Sequence, residues 1–223
     1  MDSKLFVQAI VKFLIGLLLV GLLLFLPAGT LAYWQAWLFM GILFIPMFIA
    51  GLIMMKKSPE LLWKRLNAKE EETEQKNVIA LSGLMFLTAF IAAGLNRRFC
   101  WIVLPPWASY VGAVVFLLAY ALYAEVLREN VWLSRTIEVQ ENQKVIDTGL
   151  YGIVRHPMYM STLLLFLSMP FVLGSVISFA ILLLYIPIIA KRILNEEQVL
   201  ERGLAGYADY KKRIKYKVIP FIW

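Results

Sequence analysis

Four long, mainly apolar runs, at Leu5–Leu26, Tyr33–Met55, Val78–Leu95 and Ser109–Leu127, constrain what this chain can fold into more than any other feature. Each is close to the roughly 20 helical residues needed to cross about 30 Å of hydrocarbon. In a chain of 223 residues that is 61% hydrophobic, so much apolar surface cannot be hidden inside one small water-soluble core. The solvent for these runs is therefore lipid. Two shorter apolar stretches, Tyr159–Leu173 and Ser175–Ile189, flank Gly174, with Pro170 just before the break. They read as a helical hairpin and bring the expected number of crossings to about six. The predicted fold class is all-α, a polytopic membrane bundle forming one domain over 1–223. Four spans occupy 1–128, and 129–223 holds a polar loop, the hairpin and a charged tail.

The net charge of +7 matters here through its placement. With the N-terminus inside, Lys4, Lys12, the Lys56–Lys76 loop, the Arg128–Arg155 segment and the Lys191–Lys217 tail all fall on the cytosolic face, while Arg97 and Arg98 face out. This positive-inside pattern reads the excess charge as a topology signal. It puts both termini in the cytosol and argues against nucleic acid as a partner. The pattern suits a bacterial plasma membrane and an organelle membrane equally. The first run exceeds the usual core of a signal peptide and a second span follows at once, so an uncleaved first span is expected. Cys100 is the only cysteine, which excludes an intramolecular disulfide and a cysteine-based metal cluster, and no metal site is expected.

Between the runs, Lys56–Asn77 predicts an interfacial helix with Leu61, Leu62, Trp63 and Leu66 on one side. Asn96–Ala108, with Pro105, Pro106, Phe99, Trp101 and Trp107, suits the outer interface. In Asn130–Arg155, β-branched residues on either side of Gln140–Gln143 predict a short hairpin that feeds a compact Gly149-Leu150-Tyr151-Gly152 loop. The tail beyond Asn195 is expected to form a cytosolic helix folding back toward the membrane surface.

The chemistry concentrates in Arg155-His156-Pro157-Met158-Tyr159, where a polar loop meets an apolar helix. Pro157 suits the first helical turn, where its missing N–H is not needed, so Arg155 and His156 are delivered to a positive helix terminus. A cation beside free backbone donors makes an anion site suited to a carboxylate. The plainer alternative has Arg155 on a lipid phosphate and His156 as a simple cap. Arg192 and Glu196 lie four apart on the helix that returns from Gly174, so they share a face and arrive near Pro157. Taken alone, that spacing describes only an interfacial pair contributing about 0.3–0.5 kcal/mol.

The RHPMY run at 155–159, the preceding Gly-Leu-Tyr at 149–151, the Glu196-Glu197 pair and the Tyr207-Ala-Asp-Tyr210 run together resemble the isoprenylcysteine carboxyl methyltransferase and phospholipid methyltransferase superfamily. The resemblance begins near Asn130. It implies a cytosolic pocket for S-adenosylmethionine formed by Gln143, Lys144, Val145, Ile146, Tyr151, Arg155, His156, Pro157, Met158, Tyr159 and Glu196. Arg192 is implied on the substrate side; for an amine or thiol acceptor, which must lose a proton, either His156 or a water could take it. The stretch Arg202-Gly203-Leu204-Ala205-Gly206 stands where the family commonly has Phe-Gly and is about one residue short, so Glu197 shares the candidacy of Glu196. Asn130 and Glu125 are weaker candidates near the acceptor, Glu125 being better explained by an interfacial pair with Arg128 or Glu129, and neither is counted as catalytic.

The implied reaction is methyl transfer to a lipophilic acceptor entering from the bilayer, first a carboxylate like that of isoprenylcysteine. A phospholipid amine or a lipophilic thiol is the alternative. Membrane sterol reductases share a related C-terminal architecture and make an NADPH-dependent reduction a more remote one. A small transporter would bury ionisable groups within its spans, whereas Lys12, near enough to an end to snorkel, is the clearest intramembrane charge.

Overall fold

The computed structural model describes residues 3–67, 73–133, 137 and 139–223, and over them the chain is all-α. Helices α1 (Ser3–Ala28), α2 (Trp34–Lys57), α3 (Pro59–Asn67), α4 (Thr73–Phe99) and α5 (Pro106–Glu129) precede a single 3₁₀ turn at Gly149–Gly152. Helices α6 (Pro157–Val172), α7 (Val176–Leu182), α8 (Tyr185–Gly203) and α9 (Tyr207–Arg213) follow. Five stretches are long and apolar enough to span a bilayer: α1, α2, Lys76–Phe99 of α4, α5, and Val176–Gly203, which joins α7 to α8. This is an integral membrane protein.

The sixth expected span, α6, has 16 residues and so covers about 24 Å at 1.5 Å per residue, less than a full crossing. Its shortness is compensated by packing against α5, where Ser161, Leu165, Ser168, Met169 and Val172 are buried. Gly112 of α5 makes the close approach possible, because a Cβ there would stand 2.8 Å from Val172 N and 2.8 Å from Phe171 Cβ. Helix α1 is the opposite case. Only Leu5, Leu24 and Ala28 of its 26 residues are buried, and Leu14, Ile15, Leu18 and Leu22 are exposed, as lipid-facing side chains are.

The helices run alternately, so two ends can be distinguished. At one end the α1–α2, α4–α5 and α6–α7 connections meet. Tyr33 Oη donates to Leu173 O at 2.6 Å, Asn96 Nδ2 donates to Ile102 O at 3.0 Å while Asn96 Oδ1 accepts from Ile102 N at 3.1 Å, and Val103 bridges Ser175. Phe99, Trp101 and Trp107 are exposed there. At the other end α3 closes the bundle: Leu62 packs with Leu5 and Met55, and Gln8 Nε2 donates to Asn67 Oδ1 at 2.6 Å.

Three expectations are corrected. Trp63 is exposed while Leu62 is buried, so the tryptophan faces away from the side of α3 that carries Leu62. In the 130–155 segment the described residues form no strand. The Gln140–Gln143 turn closes through Gln143 N to Gln140 O at 3.1 Å and Gln140 N to Gln143 Oε1 at 2.8 Å, and it is tied back by a side chain, Gln140 Nε2 donating to Trp132 O at 2.7 Å. Residues 134–136 and 138 of the expected hairpin lie outside the described residues. The tail beyond Asn195 is not one helix but the end of α8, then the short α9, then a non-helical stretch in which Tyr216 O and Lys217 O accept from Arg155 N at 2.9 Å and His156 N at 2.8 Å.

Candidate functional site

A small solvent-open cleft of about 100 Å³ lies at the α3 end of the bundle. Its floor is the start of α6, one wall is the polar end of α8 with α9, and the other wall is the 130–151 loop. Arg155, His156, Met158 and Tyr159 line it from the RHPMY run, Arg192 and Glu196 from α8, and Gln143, Lys144, Val145, Ile146 and Tyr151 from the loop. Two of the sequence candidates sit elsewhere. Pro157 is the first residue of α6 and is buried, outside the cleft lining, and Glu197 is buried behind the wall.

Consecutive residues of a helix project about 100° apart, so the two glutamates face different surroundings. Glu196 turns into the cleft, where Tyr159 Oη donates to its Oε2 and Arg192 Nε donates to Tyr159 Oη at 3.0 Å. Glu197 turns into the protein, where its side chain is 4% exposed. There Oε1 accepts from Arg155 Nε at 2.7 Å and faces His156 Nε2 at 3.2 Å, while Lys217 and Lys211 stand 3.6 and 3.8 Å from Oε2. The His156 ring thus lies between both carboxylates, with Nδ1 3.8 Å from Glu196 Oε1.

Arg155 differs from its expected role as a free anion-binding cation. Besides Glu197, its Nη1 donates to Ile214 O at 2.6 Å and Lys215 O at 2.9 Å. The guanidinium therefore fastens the tail to the cleft floor, and its fork geometry suits three acceptors at once.

The Gly-Leu-Tyr stretch is held by a residue the sequence reading missed. Glu129, the last residue of α5, accepts from Thr148 Oγ1 at 2.9 Å and Leu150 N at 3.2 Å, so a carboxylate sits on the first turn of the 3₁₀ helix. Gly149 has φ +48°, and a Cβ there would stand 2.3 Å from Glu129 Oε1. Gly149→Ala is therefore expected to displace Glu129 and loosen the loop, lowering affinity for any cleft ligand several-fold. Ligand titration beside a thermal melt checks this, and an unchanged affinity would mean that the loop is positioned by other contacts. The only advance signal was the acidic residue ending an apolar helix.

Tyr151 hangs below this turn, with Asn130 Nδ2 donating to its Oη at 2.8 Å and Tyr210 Oη donating to its carbonyl at 2.8 Å. Burial, first of all, raises the phenols of Tyr151, Tyr207 and Tyr210 well above their ordinary range, so they stay neutral donors. Tyr207 lines the cleft, and its Oη is buried with no hydrogen-bond partner among the described residues, an orphan that a ligand would satisfy. Trp132, Leu133, Ile137, Leu200 and Leu204 supply apolar wall that the sequence reading did not single out. Asn130 lines the cleft, whereas Glu125 pairs with Arg128 at 2.6 Å on an exposed face. Among the described residues no group of histidine, cysteine or acidic side chains is placed to hold a metal.

Residues 107–205 match the model of the phospholipid methyltransferase family. The matched region runs from α5 to the end of α8 and includes the RHPMY run and the Glu196-Glu197 pair, part of the motif set that resembled that superfamily. The chain is also 28% identical over 91 residues to the Delta(14)-sterol reductase TM7SF2 of Mus musculus, a similarity covering 40% of this chain and 22% of the relative. The chain thus matches about a fifth of that relative's length.

Proposed function

We propose that the protein transfers a methyl group from S-adenosylmethionine to a lipophilic acceptor, with the cleft and both termini on the cytosolic side. The observation that carries this reading is the convergence of Tyr159, Arg192 and Glu196 with the orphan Tyr207 hydroxyl in one cleft, inside a region that matches a methyltransferase family. The residues present suit the cofactor: a carboxylate and phenol donors for its polar groups, and Trp132, Leu133, Val145 and Ile146 for its base. When bound, S-adenosylmethionine supplies a methyl carbon already activated by a sulfonium.

The protein's own part is then alignment and exclusion of water, a proximity contribution of about 7–11 kcal/mol in favourable systems. Arg192 offers a cation within the cleft lining, which favours a carboxylate acceptor of the isoprenylcysteine type, and such an acceptor needs no general base. A phospholipid amine or a lipophilic thiol would have to lose a proton, and His156 Nδ1, turned toward Glu196, is the group placed to take it. The sterol-reductase similarity supports NADPH-dependent reduction as the second reading.

Equilibrium binding to the detergent-purified protein separates the two. Saturable binding of S-adenosylhomocysteine, with stabilisation against unfolding that NADPH does not give, is the expected result. Stabilisation by NADPH alone would reverse it. In a methyl-incorporation assay with membrane lipid extract, Arg192→Ala is expected to lower turnover with a carboxylate acceptor at least tenfold while S-adenosylhomocysteine binding changes little. Loss of binding in parallel would put Arg192 on the cofactor instead.

A further inference from the structure

A second cavity lies apart from the cleft, on the lipid-facing side of the bundle between α1, α2, α3 and α5. It is an open groove of about 870 Å³, with walls that are mostly apolar: Phe6, Ile10 and Phe13 of α1, the 46–55 stretch of α2, and Leu117, Ala121, Ala124 and Leu127 of α5. Gly51 leaves the groove wide at its middle, since a Cβ there would meet nothing within 4 Å.

The polar lining is concentrated at the α3 end. Lys12 donates to Leu66 O. Arg65 donates to Tyr123 Oη at 2.9 Å and places its guanidinium 5.7 Å from the centre of the Tyr123 ring. Both charges carried by the lining residues are positive. Helix α3 ends the bundle on that side, and positive-inside topology would put it at the cytosolic headgroup level. A wide apolar trough with two cations at its interfacial mouth matches a molecule with a long hydrocarbon body and one anionic head, because the tails replace lipid contacts at no cost while the anion gains charge-assisted hydrogen bonds.

We propose that this groove is a binding site for one anionic phospholipid of the inner leaflet, its phosphate held by Lys12 and Arg65 and its acyl chains lying along α1, α2 and α5. The site is separate from the methyl-transfer cleft and does not depend on that cleft's cofactor. Charge complementarity selects this occupant over a neutral lipid, and the laterally open, lipid-facing position selects a bilayer lipid over a soluble ligand.

The test is native mass spectrometry of the full chain in detergent with added phosphatidylglycerol or diacylglycerol of the same acyl chains. The expected result is one phosphatidylglycerol retained per chain at concentrations where diacylglycerol is lost. Lys12→Met combined with Arg65→Met should lower that retention about tenfold, Lys12→Arg should preserve it, and Gly51→Phe, which fills the trough, should abolish it. Circular dichroism and thermal unfolding of each variant show that the loss is not a loss of fold. Equal retention of the two lipids, undiminished retention in the folded Lys12→Met/Arg65→Met or Gly51→Phe variant, or a lipid-free dimer seated on this face would overturn the proposal.

Discussion

Glu197→Ala is expected to be the most damaging single substitution outside the apolar core, lowering stability by about 3–5 kcal/mol, the cost of stranding a buried charge. Glu197 is 3% exposed and is the common acceptor for Arg155 and His156, with Lys211 and Lys217 close by. Removing it leaves positive groups facing one another across a cavity. The damage should spread, because Arg155 also holds the carbonyls of Ile214 and Lys215 and the tail would lose its anchor. Glu197→Gln keeps the shape and one acceptor oxygen, so its loss should be smaller. Thermal unfolding in detergent and the yield of folded protein measure both. A Glu197→Ala protein as stable as the wild type would show that this hub is fully solvated and that the buried network is not what holds the tail.

Its neighbour should behave in the opposite way. Glu196→Ala is expected to leave the melting temperature within a few degrees of wild type but to weaken S-adenosylhomocysteine binding by about 10- to 100-fold, the worth of one hydrogen bond to a charged group at roughly 1.5–3 kcal/mol. Its side chain is 23% exposed and faces the cleft, where Tyr159 is its hydrogen-bond donor and keeps Arg192 as a partner when the carboxylate is gone. Calorimetric titration at matched folding makes the comparison. Wild-type affinity in Glu196→Ala would remove the carboxylate from the ligand's contacts and leave the cleft to be explained by Tyr207 and the loop.

The contrast between these adjacent glutamates marks where sequence reading ran out. Both were candidates because the spacing to the tyrosines was one residue irregular, and nothing local distinguishes two identical side chains. The bundle does, by fixing the rotation of α8 through Tyr185, Ile189 and Ile193, which are buried on the same side as Glu197. Arg155 was likewise readable as a functional cation but not as the clasp of the tail, since its acceptors lie about sixty residues further along the chain. Glu129 escaped notice for the same reason, because a carboxylate at a helix end looks solvated until the 3₁₀ turn at Gly149 is folded onto it. The loop from Asn130 was misread as a hairpin because β-branched residues suggest strands, whereas here side-chain bonds such as Gln140 to the Trp132 carbonyl organise the described part.

What the sequence determined by itself was the solvent, the helical class, the approximate spans and the stretch that builds the cleft, because these depend on local quantities: apolar run length, the placement of Pro157, and the motif runs along the last ninety or so residues. What only the tertiary structure decided was which members of those runs meet. That choice depends on helix rotation and on close approaches such as Gly112 against Val172, and on backbone partners supplied by a distant tail. Residues 155–159, 192 and 196 become one site because two helices that leave and re-enter the same end of the bundle place them there, a long-range relation to which no local pattern in the chain is sensitive.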